Sequence, residues 1–228
     1  MRKLIMLLAF AASFVSSGYS QSGCDRSYIR EQIDRYGECK NVAITESNGD
    51  VMLYGINGWA ATSCCPSGLQ DDLRSLHDNR ETINDIVLTE NGNYLILYGS
   101  NGFKGRGTPD NLWSKITNDF RNETVFSVTF NDNGDWIIIT NNHYSASSSR
   151  IMDWLEDGAN SYGQLWAACV TNDAMVAVFK GGYIYSGNVP ESLKEALRKT
   201  NLDVYRLKIA GNSWFFADKS GKSYQYSM

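Results

Sequence analysis

The sequence is short of three things: proline, histidine and a strong excess of charge. Of 228 residues, three are proline and two are histidine. With 20% charged and 43% hydrophobic residues the composition is that of an ordinary globular chain, which excludes collagen and intrinsic disorder. Acidic residues outnumber basic ones by only 25 to 21, so there is no electrostatic reason to expect a nucleic-acid partner. With only His77 and His143, and no CxxC spacing, a zinc site is not expected, nor is any other metal or cofactor. No GxSxG, HExxH, Gly-rich phosphate loop or paired-carboxylate signature occurs. After residue 15 no apolar run is long enough to cross a bilayer.

What is present begins with an export signal. Arg2 and Lys3 precede an apolar run from Leu4 to Val15, then small and polar residues from Ser16 to Ser20. This is the pattern of a secretory signal peptide over residues 1–20, with cleavage before Gln21. A membrane anchor, or a lipid on Cys24, fits the residues less well. The remainder, 21–228, carries 19 basic and 25 acidic side chains and reads as one domain. Its location is expected to be secreted or periplasmic, where disulfides are permitted. Cys24 and Cys39 are expected to pair with each other or with Cys64 and Cys65; Cys169 stands apart. Connectivity does not follow from spacing.

The domain is repetitive. Pro66, Pro109 and Pro190 each open a Pro-x-x-Leu-x-x-x-Leu/Ile pattern, and Ile29 with Ile33 and Ile151 with Leu155 fit it without the proline. The first apolar positions, Ile29, Leu69, Leu112, Ile151 and Leu193, lie 40, 43, 39 and 42 residues apart. A spacing of four places each pair on one helix face, and proline suits a first helical turn. Each helix is followed by an alternating segment, as at Val42 and Ile44, Ile86 and Leu88, or Val128 and Phe130, which predicts a strand. Turn residues follow, including Asn48-Gly49, Asn91-Gly92 and Asn133-Gly134, the signature of a tight hairpin. A continuous apolar run then predicts a second strand covered on both faces. A second turn leads to one aromatic in every unit: Trp59, Phe103, Tyr144, Tyr183 and Tyr224.

The expected fold is therefore an α+β repeat protein of five units of about 41 residues, each a helix, a β-hairpin and a short third strand. The units run approximately over 24–63, 64–106, 107–146, 147–187 and 188–228. They would assemble as a propeller-like ring or a short solenoid.

The segments SVTFNDNGDWIII (127–139) and IVLTENGNYLILY (86–98) resemble blades of bacterial secreted β-propeller and WG-type repeat proteins. The resemblance extends over all five units and implies a rigid scaffold whose loops or centre bind something. The helix in each unit departs from ordinary four-stranded blades. It also invites comparison with the five-fold α/β propeller of pentein enzymes.

Two readings of function follow. The first is a secreted, non-enzymatic binding module whose ligand is a protein or a carbohydrate, gripped by Trp59, Phe103, Tyr144, Tyr183 and Tyr224 if those aromatics converge. The same five aromatics would equally serve as a repeated core layer. The alternative, implied by the pentein resemblance, is an exported enzyme with Cys169 as nucleophile and His143 as base. Against it, Cys169 occupies a strand position filled elsewhere by Ala43, Val87, Thr129 and Lys208, where a small packing residue suffices. The acidic loop Asn131–Asp135 is read as a hairpin turn, since its glycine is misplaced for a calcium loop.

Overall fold

The computed structural model describes residues 19–20 and 23–228. Most of the expected signal peptide, together with Gln21 and Ser22, lies outside the described residues. Tyr19–Ser20 form a short strand, β1, which pairs in parallel with Ala60 and Ala61.

The first unit continues with α1 (Ser27–Tyr36), β2 (Asn41–Ala43), β3 (Val51–Tyr54) and β4 (Gly58–Ala61). The second has α2 (Ser67–Asp78), β5 (Ile83–Leu88), β6 (Tyr94–Tyr98) and β7 (Gly102–Arg106). The third has α3 (Asp110–Ser114), extended by a π-helical turn over Lys115–Asp119, then β8 (Val125–Phe130), β9 (Trp136–Thr140) and β10 (Tyr144–Ala146). The fourth has α4 (Ser149–Tyr162), β11 (Leu165–Val170), β12 (Ala174–Phe179) and β13 (Gly182–Gly187). The fifth has α5 (Glu191–Lys199), β14 (Arg206–Ala210), β15 (Ser213–Ala217) and β16 (Tyr224–Ser227). Each unit thus holds one helix and one antiparallel three-stranded meander, with β1 added in parallel to the edge of the first. The third strand is not uniformly short, since β13 equals β12 in length.

The helices start slightly differently from the expectation. Pro66, Pro109 and Pro190 are N-cap residues with extended ψ of 135°, 133° and 132°, one place before the first turn. The fourth helix uses Ser148 instead, whose hydroxyl accepts from the Ile151 amide at 3.4 Å.

The paired apolar residues of every helix are buried as the spacing requires. Each helix seals a separate core between two neighbouring sheets. Leu69 and Leu73 pack with Leu53 and Trp59 of the first unit and Ile86 and Ile96 of the second. Leu112 and Ile116 join Leu97 to Ile138, and Ile151 and Leu155 join Ile139 to Phe179. Leu193 and Leu197 join Val176 to Phe216. The remaining core comes from both ends of the chain: Ile29 and Ile33 of α1 pack with Met52 of the first unit and Phe215 of the fifth. The middle strands show why their sequences are apolar throughout. In β3, Val51 and Leu53 enter one core while Met52 and Tyr54 enter the next. Each such buried aliphatic side chain contributes about 1.5–3 kcal/mol of transfer free energy.

Polar clasps join the chain ends beside this core. Arg26 pairs with Asp50 at 2.6 Å and also donates to Ser213 of the fifth unit. The Cys39 amide donates to the Gly221 carbonyl at 2.9 Å. Gly221 sits at φ 74°, and a Cβ there would collide with the Lys40 backbone. Of the disulfide alternatives, the structure forms Cys24–Cys64, tying the segment before α1 to the end of β4's unit. Cys39 is not bridged; like Cys65 and Cys169 it is a buried free thiol.

The first hairpins are wider than Asn-Gly alone implies. Residues 89–93 and 131–135 form five-residue connections, held from within by Thr89 and Asn131. Neighbouring turns are also linked in series. The Glu90 carboxylate accepts from the Glu46 amide at 2.6 Å, Asp132 accepts from the Thr89 hydroxyl at 2.5 Å, and Asn172 accepts from the Asp132 amide at 3.1 Å. These loops act as inter-unit ties, and Asp132 is used in that way.

Candidate functional site

The innermost strand of each unit, β2, β5, β8, β11 or β14, touches the innermost strand of the next, and β14 touches β2. The starts of these strands are therefore brought near one another. The residue two positions before the alternating apolar pair of each inner strand is Lys40, Asn84, Phe126, Trp166 or Tyr205 in the successive units. In the middle three units this residue stands at a register irregularity, between Ile83 and Asp85, Val125 and Ser127, and Leu165 and Ala167. Such a bulge removes a residue from the ladder and re-aims its side chain. All five are half-buried.

Three of these five are aromatic and they converge. Trp166 stacks on Tyr205 with ring centroids 5.1 Å apart and 20° between planes. Phe126 meets Tyr205 edge-on at 5.8 Å. The Arg206 guanidinium lies over the Phe126 ring at 4.1 Å, and the Lys219 ammonium stands 5.6 Å from the same ring. Arg206 is only 4% exposed. Its Nη1 donates to the Tyr205 carbonyl at 3.2 Å and Nη2 to the Asn84 carbonyl at 3.5 Å, while Nε has no partner. Lys40 donates to the Ile83 carbonyl at 2.6 Å. Burial, then repulsion from Arg206, lowers the Lys40 ammonium to about 8, with Asp85 opposing.

One step deeper, Asp85 ties four units together. Its carboxylate accepts from Asn41 of the first unit, from the Ser127 hydroxyl and Val128 amide of the third, each at 3.0 Å, and from Lys208 of the fifth at 3.2 Å. Burial would raise its pKa, but Lys208, Arg206 and these hydrogen bonds outweigh it and hold the carboxyl below its ordinary value. The cations gathered around this single carboxylate, Lys40, Arg206 and Lys208, exceed it in charge.

At the opposite end of the inner strands lies a cavity of about 60 Å³, lined among others by Thr129, Cys169, Thr171 and Lys208. That volume is room for a few water molecules. Burial pushes the Cys169 thiol up, and Thr129 and Lys208 offset this only in part. A thiol held protonated is a poor nucleophile. His143 is placed elsewhere, just before the outer strand β10, where it is 64% exposed and pairs with Glu123 at 2.8 Å. Cys169 and His143 are not brought together.

The five repeated aromatics do not share an opening either. Trp59, Tyr183, Tyr224, Phe103 and Tyr144 each belong to a different one of the five cores. Repetition here reflects packing. The converging residues Phe126, Trp166 and Tyr205 escaped the sequence reading because they precede the alternating segments. The signal was available: an aromatic recurs two places before the alternating apolar pair of the last three inner strands. Among the described residues no group of three or more His, Cys, Asp or Glu side chains could hold a metal ion, and no helix is long and apolar enough to cross a membrane. No family model, curated protein or solved structure matches the chain.

Proposed function

We propose that the protein is a secreted, non-enzymatic binding module on a propeller-like ring of five units, with a glycan or another protein as ligand. The resemblance to bacterial β-propeller and WG-type repeats motivates the ring. It is supported by the core that the first and fifth units share, since a short solenoid would leave its ends apart. Export is supported by the signal-like leader and by the Cys24–Cys64 disulfide, which suits an oxidising compartment.

The observation that carries the reading is the convergence of Phe126, Trp166 and Tyr205, half-buried on three units beside a buried arginine. Rings that stack and keep one side wet present large contact area at little entropic cost, for a sugar ring or a peptide side chain. The alternative of a pentein-like enzyme has less behind it, because Cys169 is buried with a raised pKa and His143 engages Glu123. The test is a glycan and peptide array probed with the wild-type protein and a folded Trp166→Ala variant. Binding that disappears with Trp166 supports the site; binding that survives removes it.

A further inference from the structure

Each sheet ends on an outer strand, and the chain protects four of these edges while leaving one open. Unpaired N–H and C=O groups along an edge invite another strand, so natural edges are shortened, charged or covered. β4 is covered by β1, so an outer edge of this fold accepts a further strand. β7 carries Lys104 and Arg106. β10 has only three residues. β16 has four, and α1 clasps it: the Tyr226 hydroxyl donates to Asp34 at 3.4 Å and Arg30 donates to the Met228 carbonyl at 3.1 Å. β13 has none of these devices. It runs for six residues, Gly182–Gly187, without a charge or a proline, and ends its sheet among the described residues. On its α5 side Tyr183 is half-buried against the core, but Tyr185, stacked on it at 6.4 Å, is 49% exposed. The Lys194 ammonium of α5 lies 4.5 Å from the Tyr185 ring and is neutralised by Glu191 at 2.6 Å.

We infer that β13 is a dimer edge, on which the β13 strand of a second copy of this chain pairs antiparallel about a two-fold axis at Ile184. That register is self-complementary. Ile184 meets Ile184 of the second copy, Tyr183 of each copy lies opposite Tyr185 of the other, and Gly182 lies opposite Ser186. Opposed residues share a face, so the four tyrosines form one array on the α5 side. Moving the axis to Tyr185 would set Tyr183 against Gly187 and lose that array. Charge also selects the second copy. The strand is uncharged and the lysine beside it is already paired, so two copies meet without repulsion and a charged segment gains nothing. The edge is separate from the aromatic cluster of the inner strands, and the inference is independent of the proposed binding function. One short strand pair buries less than a standard interface, so the dimer is weak, with a Kd of about 1–100 μM.

The test is sedimentation equilibrium of the purified protein from about 1 to 500 μM, a range that brackets the expected Kd. The wild type is expected to pass from monomer to dimer across it. Tyr185→Lys removes both tyrosine pairs and brings two cations together near the axis, so it is expected to weaken the dimer about 10-fold or more. Tyr185 is half-exposed, so the urea midpoint of that variant should stay close to the wild type. Ile184→Cys reads the register: oxidation should link two copies across the axis, whereas Ser186→Cys, opposite Gly182, should not link. The free thiols Cys39, Cys65 and Cys169 are buried and do not compete. A wild type that stays monomeric throughout overturns the inference and leaves the edge to a strand of another protein. A dimer as strong in Tyr185→Lys as in the wild type places the contact elsewhere and overturns it too. Linking through Ser186→Cys but not Ile184→Cys overturns the pairing.

Discussion

Two sets of aromatic residues occupy equivalent repeat positions, and they behave differently. The outer set, Trp59, Phe103, Tyr144, Tyr183 and Tyr224, is complete: every unit has one, Trp59 buried within its core and the other four half-buried, each packed against a different core. The inner set is incomplete. The same position holds Lys40, Asn84, Phe126, Trp166 and Tyr205, and only the last three are rings. A packing problem that recurs five times receives the same solution five times. Here the last three positions meet one another, so identical residues are not required. Five identical cations would repel, and the chain instead places cations and rings side by side. The broken repeat marks the candidate site better than the perfect one.

The comparison can be broken by mutation. The largest effect is expected at the centre's polar tie. Asp85→Ala leaves Lys208 and Arg206 buried without their counter-charge and should cost about 3–5 kcal/mol, read from urea unfolding. Because the Asp85 carboxyl is held below its ordinary pKa, its contribution is complete above the usual carboxylate range. It is lost as pH falls through the folded value, so an acid unfolding midpoint that is unchanged in Asp85→Asn would contradict this role.

Next comes the outer set. Trp59→Ala empties a fully buried site and should cost about 3–5 kcal/mol, whereas Trp166→Ala should cost about 1 kcal/mol and remove binding instead. Similar losses of stability at the two positions would erase the distinction drawn between the sets. The disulfide closes a separation of 40 residues, so Cys24→Ser with Cys64→Ser should lower stability by about 2–4 kcal/mol in thermal unfolding.

A smaller effect concerns pH. The Lys40 ammonium, facing Arg206, Asp85 and the Ile83 carbonyl, loses its proton near 8 in the unliganded protein. Above about 8 the folded chain sheds this proton before the unfolded chain does, so stability read from urea unfolding should rise with pH there, and in Lys40→Gln that rise should vanish. The smallest expected effect is in thiol labelling. Cys39, Cys65 and Cys169 should remain unmodified in the native state and react only on unfolding.

Much of the fold was legible because its forces are local and repeated. The pairs Ile29 with Ile33 and Leu69 with Leu73 announce helix faces through a spacing of four. The runs Tyr94–Tyr98 and Trp136–Ile139 announce strands buried on both faces. The width of the hairpins was not legible, because it depends on side-chain clasps such as Asn131 with the Asp135 amide. The partner of Cys24 was not legible either, since three candidates lay at plausible spacings.

The candidate site was barely legible. Asp85 reads as one more strand residue, and nothing local says that Lys208, 123 residues on, will meet it. Phe126 and Trp166 look like ordinary strand aromatics until the bulges aim them at the centre. Sequence periodicity determined the five units, their helix faces and their strands, because hydrogen bonding and burial impose periods that a single segment must display. Only the tertiary structure decided which end meets which, which cysteines pair and which aromatics converge. Those outcomes depend on contacts between residues far apart in the chain, and such contacts leave no period to read.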